Sequence, residues 1–586
     1  MDEILDKINN PEDVKKLNIN ELKLLANDIR EGLFNRLTKM GGHCGPNFGI
    51  VECEIAMHYV FSSPKDKFVF DVSHQSYPHK MLTGRKLGYT DEKHFFEDSG
   101  YTNPEESEHD LFNVGHTSTS ISLATGLAKA RDIKGTKENV VALIEDGSLS
   151  GGEALEGLNV AGAELKSNLI IIVNDNQQSI SETHGGIYEN LKELRETKGG
   201  SANNIFKSFN LDYIYEDNGN DIEALIKVFE KVKDIDHPVV VHINTVKGKG
   251  FELAEKNKEE WHWTMPFDRE TGKKKFSFSG ESYVGIAHDF IMDKAKQDKD
   301  FVVVTPNMPG SFGLSIKDRE ELGSQFVDVG IAEEQAVAMA SGLSKGGAKP
   351  LVITNTTFIQ RAFDQIHQDV CINNNPVTIL LNYSSFDGLT DVTHLGIFGI
   401  SMLSNIPNLV TLVPTCKSEL VAMLNWATNQ RNHPVAILIG GNAVQDRKVD
   451  ENFDDINKFS VEKAGEKVAI LALGDFFQKG QEICAEIEKQ LGFTPTLINP
   501  RFASGMDEKL LNDIAKTHKL LITLEDGILD GGFGQKIASK LGTNAIKVKN
   551  YGLDRKFYDR YNPTELLNQL NMSNEQIVEE IKNLIG

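Results

Sequence analysis

The chain has 586 residues, 40% hydrophobic and 25% charged, with a formal net charge of −23. That length allows roughly three or four domains of about 150 residues, and the balance is ordinary for a globular protein. The acidity disfavours nonspecific binding to nucleic acid or anionic membrane. No apolar run reaches membrane-spanning length, and Met1-Asp2-Glu3-Ile4 is acidic and polar, so no anchor or signal peptide is expected. Five cysteines (Cys44, Cys53, Cys371, Cys416, Cys484) are scattered without metal spacing. That pattern fits a reducing cytoplasm and disfavours a disulfide framework or zinc site.

The first block, 1–275, opens with an amphipathic helix over 21–40. Val140-Val141-Ala142-Leu143-Ile144 and Leu169-Ile170-Ile171-Ile172-Val173 are short apolar strand signals. Between them, 151–163 is rich in Gly, Ala, Leu and Glu and reads as a helix. A polar stretch over 268–275 closes the block as a linker. The second block, 276–445, reads as strand 301–304, helix 334–345, strand 351–353, helix 359–371 and strand 377–381. An acidic run over 446–457 separates the third block, 446–586, with strand 468–471, helix 480–490 and strand 520–523. Alternation of this length predicts three α/β domains with parallel sheets.

The β-α-β unit of the first block carries the strongest chemical signal. Parallel strands joined by a helix end on one edge of the sheet, where open α/β folds bind ligands. Asp146 and Asn176 follow the two strands there. A carboxylate and an amide are hard oxygen ligands suited to Mg²⁺, which shares its shell with phosphates. The backbone carbonyl of Gln178 offers a third oxygen. Read alone, the same residues also fit a capping Asp and an Asn-Asp-Asn turn.

The Asp146–Asn176 segment resembles the cofactor motif of thiamine-diphosphate enzymes. Further segments, in order, are similar to the 1-deoxy-D-xylulose-5-phosphate synthase family, relatives of transketolase. They are Gly41-Gly42-His43-Cys44-Gly45-Pro46-Asn47, Asp71-Val72-Ser73-His74-Gln75-Ser76-Tyr77-Pro78-His79-Lys80, and Gly115-His116-Thr117-Ser118-Thr119-Ser120. Lys247-Gly248-Lys249-Gly250-Phe251, Trp261-His262-Trp263, Asp328-Val329-Gly330-Ile331-Ala332-Glu333 and Thr357-Phe358-Ile359-Gln360-Arg361 continue the series. The resemblance implies a thiamine-diphosphate-dependent transferase of three transketolase-like domains. It would join a two-carbon unit from pyruvate, or a related keto acid or ketose, to an aldehyde. A homodimer in the cytoplasm, working in isoprenoid biosynthesis, is implied with it.

Residue by residue, the resemblance implies that Asp146, Asn176 and the Gln178 carbonyl hold Mg²⁺. His74, Gly115, His116, Thr117, Gly147, Ser148 and Phe251 would line thiamine diphosphate. Glu333 would share a proton with its aminopyrimidine, on which Phe358 stacks. His43, His262 and His394 are the implied proton shuttles, with His79 a weaker candidate. His58 and His242 lie in apolar runs and read as structural histidines. Outside the resemblance, a lone Glu at a helix start is favoured by the macrodipole, and a lone Phe is a core aromatic.

Departures fall on the acceptor side. Where the family has Asp-Arg-Ala-Gly, this chain has Asn382-Tyr383-Ser384-Ser385. Arg-Cys-Ile-Pro becomes Ser404-Asn405-Ile406-Pro407, and Arg-Tyr-Pro-Arg-Gly-Asn becomes Ile437-Leu438-Ile439-Gly440-Gly441-Asn442. The family's Asp before Gly-x-Thr-His is Thr390, the Gly before the metal Asp is Glu145, and Gln-His after the catalytic Glu is Glu334-Gln335. Neither Ser nor Tyr replaces an arginine fork on a phosphate. The expectation is therefore poor use of glyceraldehyde 3-phosphate, with Lys80, Arg85 and Arg361 as substitute cations. A paralogue with another acceptor and a weakly catalytic cofactor-binding regulator stand as the other readings.

Overall fold

A computed structural model describes residues 4–276, 280–441 and 444–586; Asn442 lies outside the described residues. The chain divides into two compact units, 1–278 with 330–332, and 279–329 with 333–586.

The first unit is built on a five-stranded sheet in the order Lys67–Phe70, Val140–Glu145, Leu169–Asp175, Pro238–Asn244, Asp212–Glu216. Every neighbouring pair is parallel. The second and third strands in that order are buried at every position. Continuous Val, Ile and Leu runs, rather than alternation, are what a sheet covered on both faces requires. Glu145 pairs with Asn174 in the register. That pairing delivers Asp146 and Asn176 to one edge, as the spacing predicts.

The expected N-terminal helix spans Ile19–Met40. Asn18 caps it by accepting from the backbone of Asn20 and Glu21, and Glu21 completes a capping box. Its buried stripe is Leu22, Leu25, Ile29, Leu33 and Leu37, a spacing that keeps one face inward. It stops at Gly41, with φ 76°, where a Cβ would lie 2.4 Å from the Thr264 carbonyl oxygen. Only glycine tolerates both the dihedral and that approach. The next two residues, Gly42–His43, form an antiparallel ribbon with Trp263–Thr264, so residues distant in sequence meet at His43.

The second unit holds two sheets. The six-stranded sheet runs Val410–Leu412, Val435–Leu438, Thr378–Asn382, Lys349–Asn355, Phe301–Thr305, Phe326–Asp328, all parallel. The five-stranded sheet runs Ser460–Lys463, Thr496–Asn499, Lys467–Ala472, His518–Ile528, Lys547–Leu553. Its edge strand Ser460–Lys463 is antiparallel to Thr496–Asn499, which departs from the all-parallel expectation. The connection from Lys463 to Lys467 is too short for the crossover that a parallel neighbour demands. This mostly exposed strand instead adds to the far edge.

The segment 359–371 also differs from the single helix expected. It is a 3₁₀ turn Phe358–Ala362, a short α segment Phe363–Gln365 and a π turn Ile366–Ile372. The changes of pitch keep Ile359, Ala362, Ile366 and Val370 all buried, and π turns of this kind recur at functional sites.

Candidate active site

In the first unit Asp146 opens a tight turn, Asp146–Ser150, directly after the strand Val140–Glu145. It is buried, and both carboxylate oxygens lack a hydrogen-bond partner. Burial, with Asp175 and Glu145 nearby, pushes its pKa well above the usual carboxylate range, against a smaller pull from Lys247. Leaving a carboxylate so placed costs several kcal/mol unless a cation meets it. The two orphaned oxygens are the feature that fits a metal ligand.

Asn176 is buried beside it. Its Nδ2 donates to Glu145 Oε1 at 2.6 Å, and its Oδ1 accepts from the Gln178 amide at 3.1 Å. The amide oxygen is thus turned toward its own loop, a turn-type bond that the Asn-Asp-Asn reading allows. The Gln178 carbonyl accepts from Lys247 Nζ at 3.3 Å, and the same ammonium reaches the Ser179 carbonyl at 2.7 Å. Lys247 is fully buried.

Lys247 is a participant the sequence reading passed over. It sits in Lys-Gly-Lys-Gly-Phe, matched there as a motif without a role. Its third partner is Glu145, at 3.4 Å. Burial pushes the Glu145 carboxyl up, but Lys247, His74 and Asn176 together hold it down at about 2. Glu145, placed where the family has Gly, is thus a permanently ionised strut beneath Asn176 and His74.

His74 Nε2 lies 3.1 Å from Glu145 Oε2, which fixes the ring. His43, His74 and His262 form a cluster, with ring centroids 5.2, 5.6 and 5.4 Å apart in the pairs 43–74, 43–262 and 74–262. Burial first, then Lys247 and the two neighbouring rings, hold His262 well below its ordinary pKa. A neutral imidazole with a buried, unpartnered Nδ1 is able to accept or pass a proton.

The loop carrying Gly115, His116 and Thr117 is pinned by Asp71, whose carboxylate accepts from the amides of Ser118 at 2.8 Å and Ser120 at 3.0 Å. Ser118 Oγ donates to the Ser148 carbonyl at 2.8 Å, tying this loop to the turn after Asp146. Gly147 is required in that turn, because a Cβ would lie 2.6 Å from Ser179 Oγ. The Phe251 ring packs in an aromatic cluster, 4.8 Å from Trp261 and 5.1 Å from Phe34.

His79 stands apart from the three-histidine cluster. Its Nδ1 meets His58 Nε2 at 2.9 Å and its Nε2 meets Asp110 at 2.9 Å, fully buried. Burial lowers its pKa to about 4 despite Asp110. Arg85 forks onto Asp110 at 2.7 and 2.8 Å, and Lys80 Nζ pairs with Glu106. These cations are committed to internal carboxylates, so the expectation that Lys80 and Arg85 stand in for phosphate-binding arginines does not hold. His242 bridges Asp175 and Tyr213 at 2.8 Å each, satisfied as a structural histidine.

In the second unit Glu333 opens the helix Glu333–Lys345 and is buried. Burial raises its pKa to about 7, against the pull of Arg361. A carboxyl poised near neutrality is what proton sharing requires. Phe358 begins the 3₁₀ turn and is half-buried, with its ring edge-on to His394 at 5.5 Å. His394 Nδ1 lies 2.8 Å from Thr393 Oγ1.

Family models match most of the chain, in successive segments. Residues 5–202 and 196–245 match 1-deoxy-D-xylulose-5-phosphate synthase, 283–445 the transketolase pyrimidine binding domain, and 457–577 the transketolase C-terminal domain. A 1-deoxy-D-xylulose-5-phosphate synthase of Clostridium beijerinckii is 37% identical over 98% of each chain. Those of Alkaliphilus oremlandii and Natranaerobius thermophilus are 38% and 36% identical, over 99% and 100% of this chain and 98% of each relative. The chain belongs to the 1-deoxy-D-xylulose-5-phosphate synthase family. It is a thiamine-diphosphate-dependent transferase that joins a two-carbon unit from pyruvate or a related donor to an aldehyde acceptor.

The acceptor-side departures from the synthase family have a structural counterpart. Tyr383 adopts φ 53° after Asn382. Lys536 Nζ donates to Ser404 Oγ at 2.6 Å and to its carbonyl at 2.8 Å, so a lysine from elsewhere in the chain reaches Ser404. At Gly440 a Cβ would lie 1.8 Å from Asp475 Oδ2, so a carboxylate occupies the space beside that position.

Proposed function

We propose that the chain condenses pyruvate with glyceraldehyde 3-phosphate, releasing carbon dioxide, as a magnesium-dependent synthase. The observation that carries the metal is Asp146, whose two buried oxygens have no other partner. Asp146, Asn176 and the Gln178 carbonyl would hold Mg²⁺, and the metal would neutralise the diphosphate of the cofactor. Thiamine diphosphate supplies the carbanion chemistry when bound.

The protein residues divide the remaining work. His74, Gly115, His116, Thr117, Gly147 and Ser148 line the diphosphate half. Glu333 holds a proton near neutral pH for the aminopyrimidine, and Phe358 offers a ring face to it. His43, His262 and His394 move protons to and from the substrates. Phe251 supports the first unit from its aromatic core. The three α/β domains, 1–275, 276–445 and 446–586, are supported by the three sheets. We assign the enzyme to the cytoplasm as a homodimer; five free, buried cysteines support the compartment.

A second reading, an aldehyde acceptor without a phosphate, is favoured by Asp475 beside Gly440 and by the internal neutralisation of Lys80 and Arg85. Purified protein with pyruvate and a panel of aldehydes decides between them. Preference for glyceraldehyde 3-phosphate supports the first reading, and preference for unphosphorylated glyceraldehyde supports the second. No turnover of any aldehyde overturns both.

A further inference from the structure

We propose that Asp387, Asp475 and Asp526 form a second divalent-cation site, separate from Asp146 and Asn176. The three belong to elements far apart in sequence. Asp387 lies in the loop after the strand Thr378–Asn382, Asp475 precedes the helix Phe476–Leu491, and Asp526 lies in the strand His518–Ile528. One carboxylate oxygen of each lies within 4.8 Å of the others, the one such cluster of potential ligands among the described residues.

Asp526 points to a ligand. It is 5% exposed, its Oδ1 accepts from the Phe386 amide at 2.9 Å, and its Oδ2 is buried with no hydrogen-bond partner. An unpaired buried carboxylate oxygen facing two further carboxylates is repulsive unless a proton or a cation sits among them. The half-buried positions of Asp387 and Asp475 leave an entry path.

The chemistry selects the ion. Three carboxylates and no sulfur or imidazole favour a hard cation. Calcium, with bonds of about 2.3–2.6 Å and a tolerant shell, accommodates oxygens anywhere within 4.8 Å of one another and is the first ion to test. Manganese is the smaller alternative that the same oxygens accept.

Titration calorimetry of the full-length protein with calcium chloride, then manganese chloride, without thiamine diphosphate, tests the site. The expected result is an equivalent of cation that persists in Asp146→Asn and is lost in both Asp387→Asn and Asp475→Asn. Terbium provides a second readout. The Tyr561 hydroxyl donates to the Phe386 carbonyl and its ring lies in the field of Asp526 and Asp387. Tyr188 donates to the Gly147 carbonyl beside Asp146, so tyrosine-sensitised terbium emission is expected in Asp146→Asn, and its loss in the double variant Asp146→Asn with Asp387→Asn. Either Asn variant removes one like charge without changing shape, and circular dichroism verifies its fold. Unchanged stoichiometry in the folded Asp387→Asn and Asp475→Asn variants overturns the site, as does absence of cation binding in Asp146→Asn.

Discussion

Arg361 Nη1 stands 3.4 Å from Glu333 Oε2, yet Glu333 holds its proton up to about pH 7. Burial outweighs the single long ion pair, as expected where a carboxyl loses its water without gaining a full set of donors.

Glu333→Gln should abolish turnover while changing the pH dependence of stability in a defined direction. The folded carboxyl titrates near 7 and the unfolded one near 4.5. Between those values the native state binds more protons, so wild-type stability falls with rising pH, and the loss is complete above about 7. The Gln variant lacks that loss. Its advantage over wild type should be near zero at pH 4.5 and on the order of 3 kcal/mol at pH 8. Urea denaturation at the two pH values checks it; an equal difference at both would remove the assignment.

Asp146→Asn should do two opposite things. Without metal, it removes a carboxyl that burial and its neighbours Asp175 and Glu145 disfavour in the ionised form, and the protein should gain about 1–3 kcal/mol at neutral pH. Cofactor binding in the presence of Mg²⁺ should be lost. Calorimetry with thiamine diphosphate, beside a metal-free melt, reads both; unchanged cofactor affinity would show that the metal is held elsewhere.

Lys247→Met leaves Glu145 buried with only His74 and Asn176 beside it. Truncating one partner of a buried pair costs about 3–5 kcal/mol, and the Gln178 and Ser179 carbonyls lose their donor as well. Denaturant midpoints should fall sharply. A loss below about 1 kcal/mol, the size of an exposed pair, would mean that Lys247 is not the strut described.

Steady-state kinetics address the acceptor. Each lost charged hydrogen bond is worth about 1.5–3 kcal/mol, so on the second reading the preference for glyceraldehyde 3-phosphate over glyceraldehyde should be weak. Tyr383→Arg should raise that preference about tenfold or more, one such bond restored. A micromolar KM for the phosphorylated aldehyde in wild type, unaltered in the variant, would show that the phosphate is gripped by other groups.

Light scattering tests the homodimer. The expected mass is twice the 65.0 kDa of one chain; a fully active monomer would refute it.

Sequence alone determined the parallel α/β plan, because runs such as Leu169–Asp175 admit no other environment than a sheet covered on both faces. It also determined that Asp146 and Asn176 share an edge, since a β-α-β unit has one hand and one direction. The order of the motifs pointed to Glu333, Phe358, His43, His262 and His394, whose roles are proposed above. What tertiary structure decided was partnership. Nothing local to Lys80 or Arg85 tells that Glu106 and Asp110 consume them, nor that Lys247 supports Glu145 across 102 positions of sequence. Phe251 belongs to an aromatic core assembled from Phe34, Phe48, Trp261 and Phe267. Asp387, Asp475 and Asp526 carry no common motif at all; they meet only because strand ends from two sheets converge. Pairing across long separations depends on packing and burial, and burial sets both the pKa of a carboxyl and the charge it needs beside it.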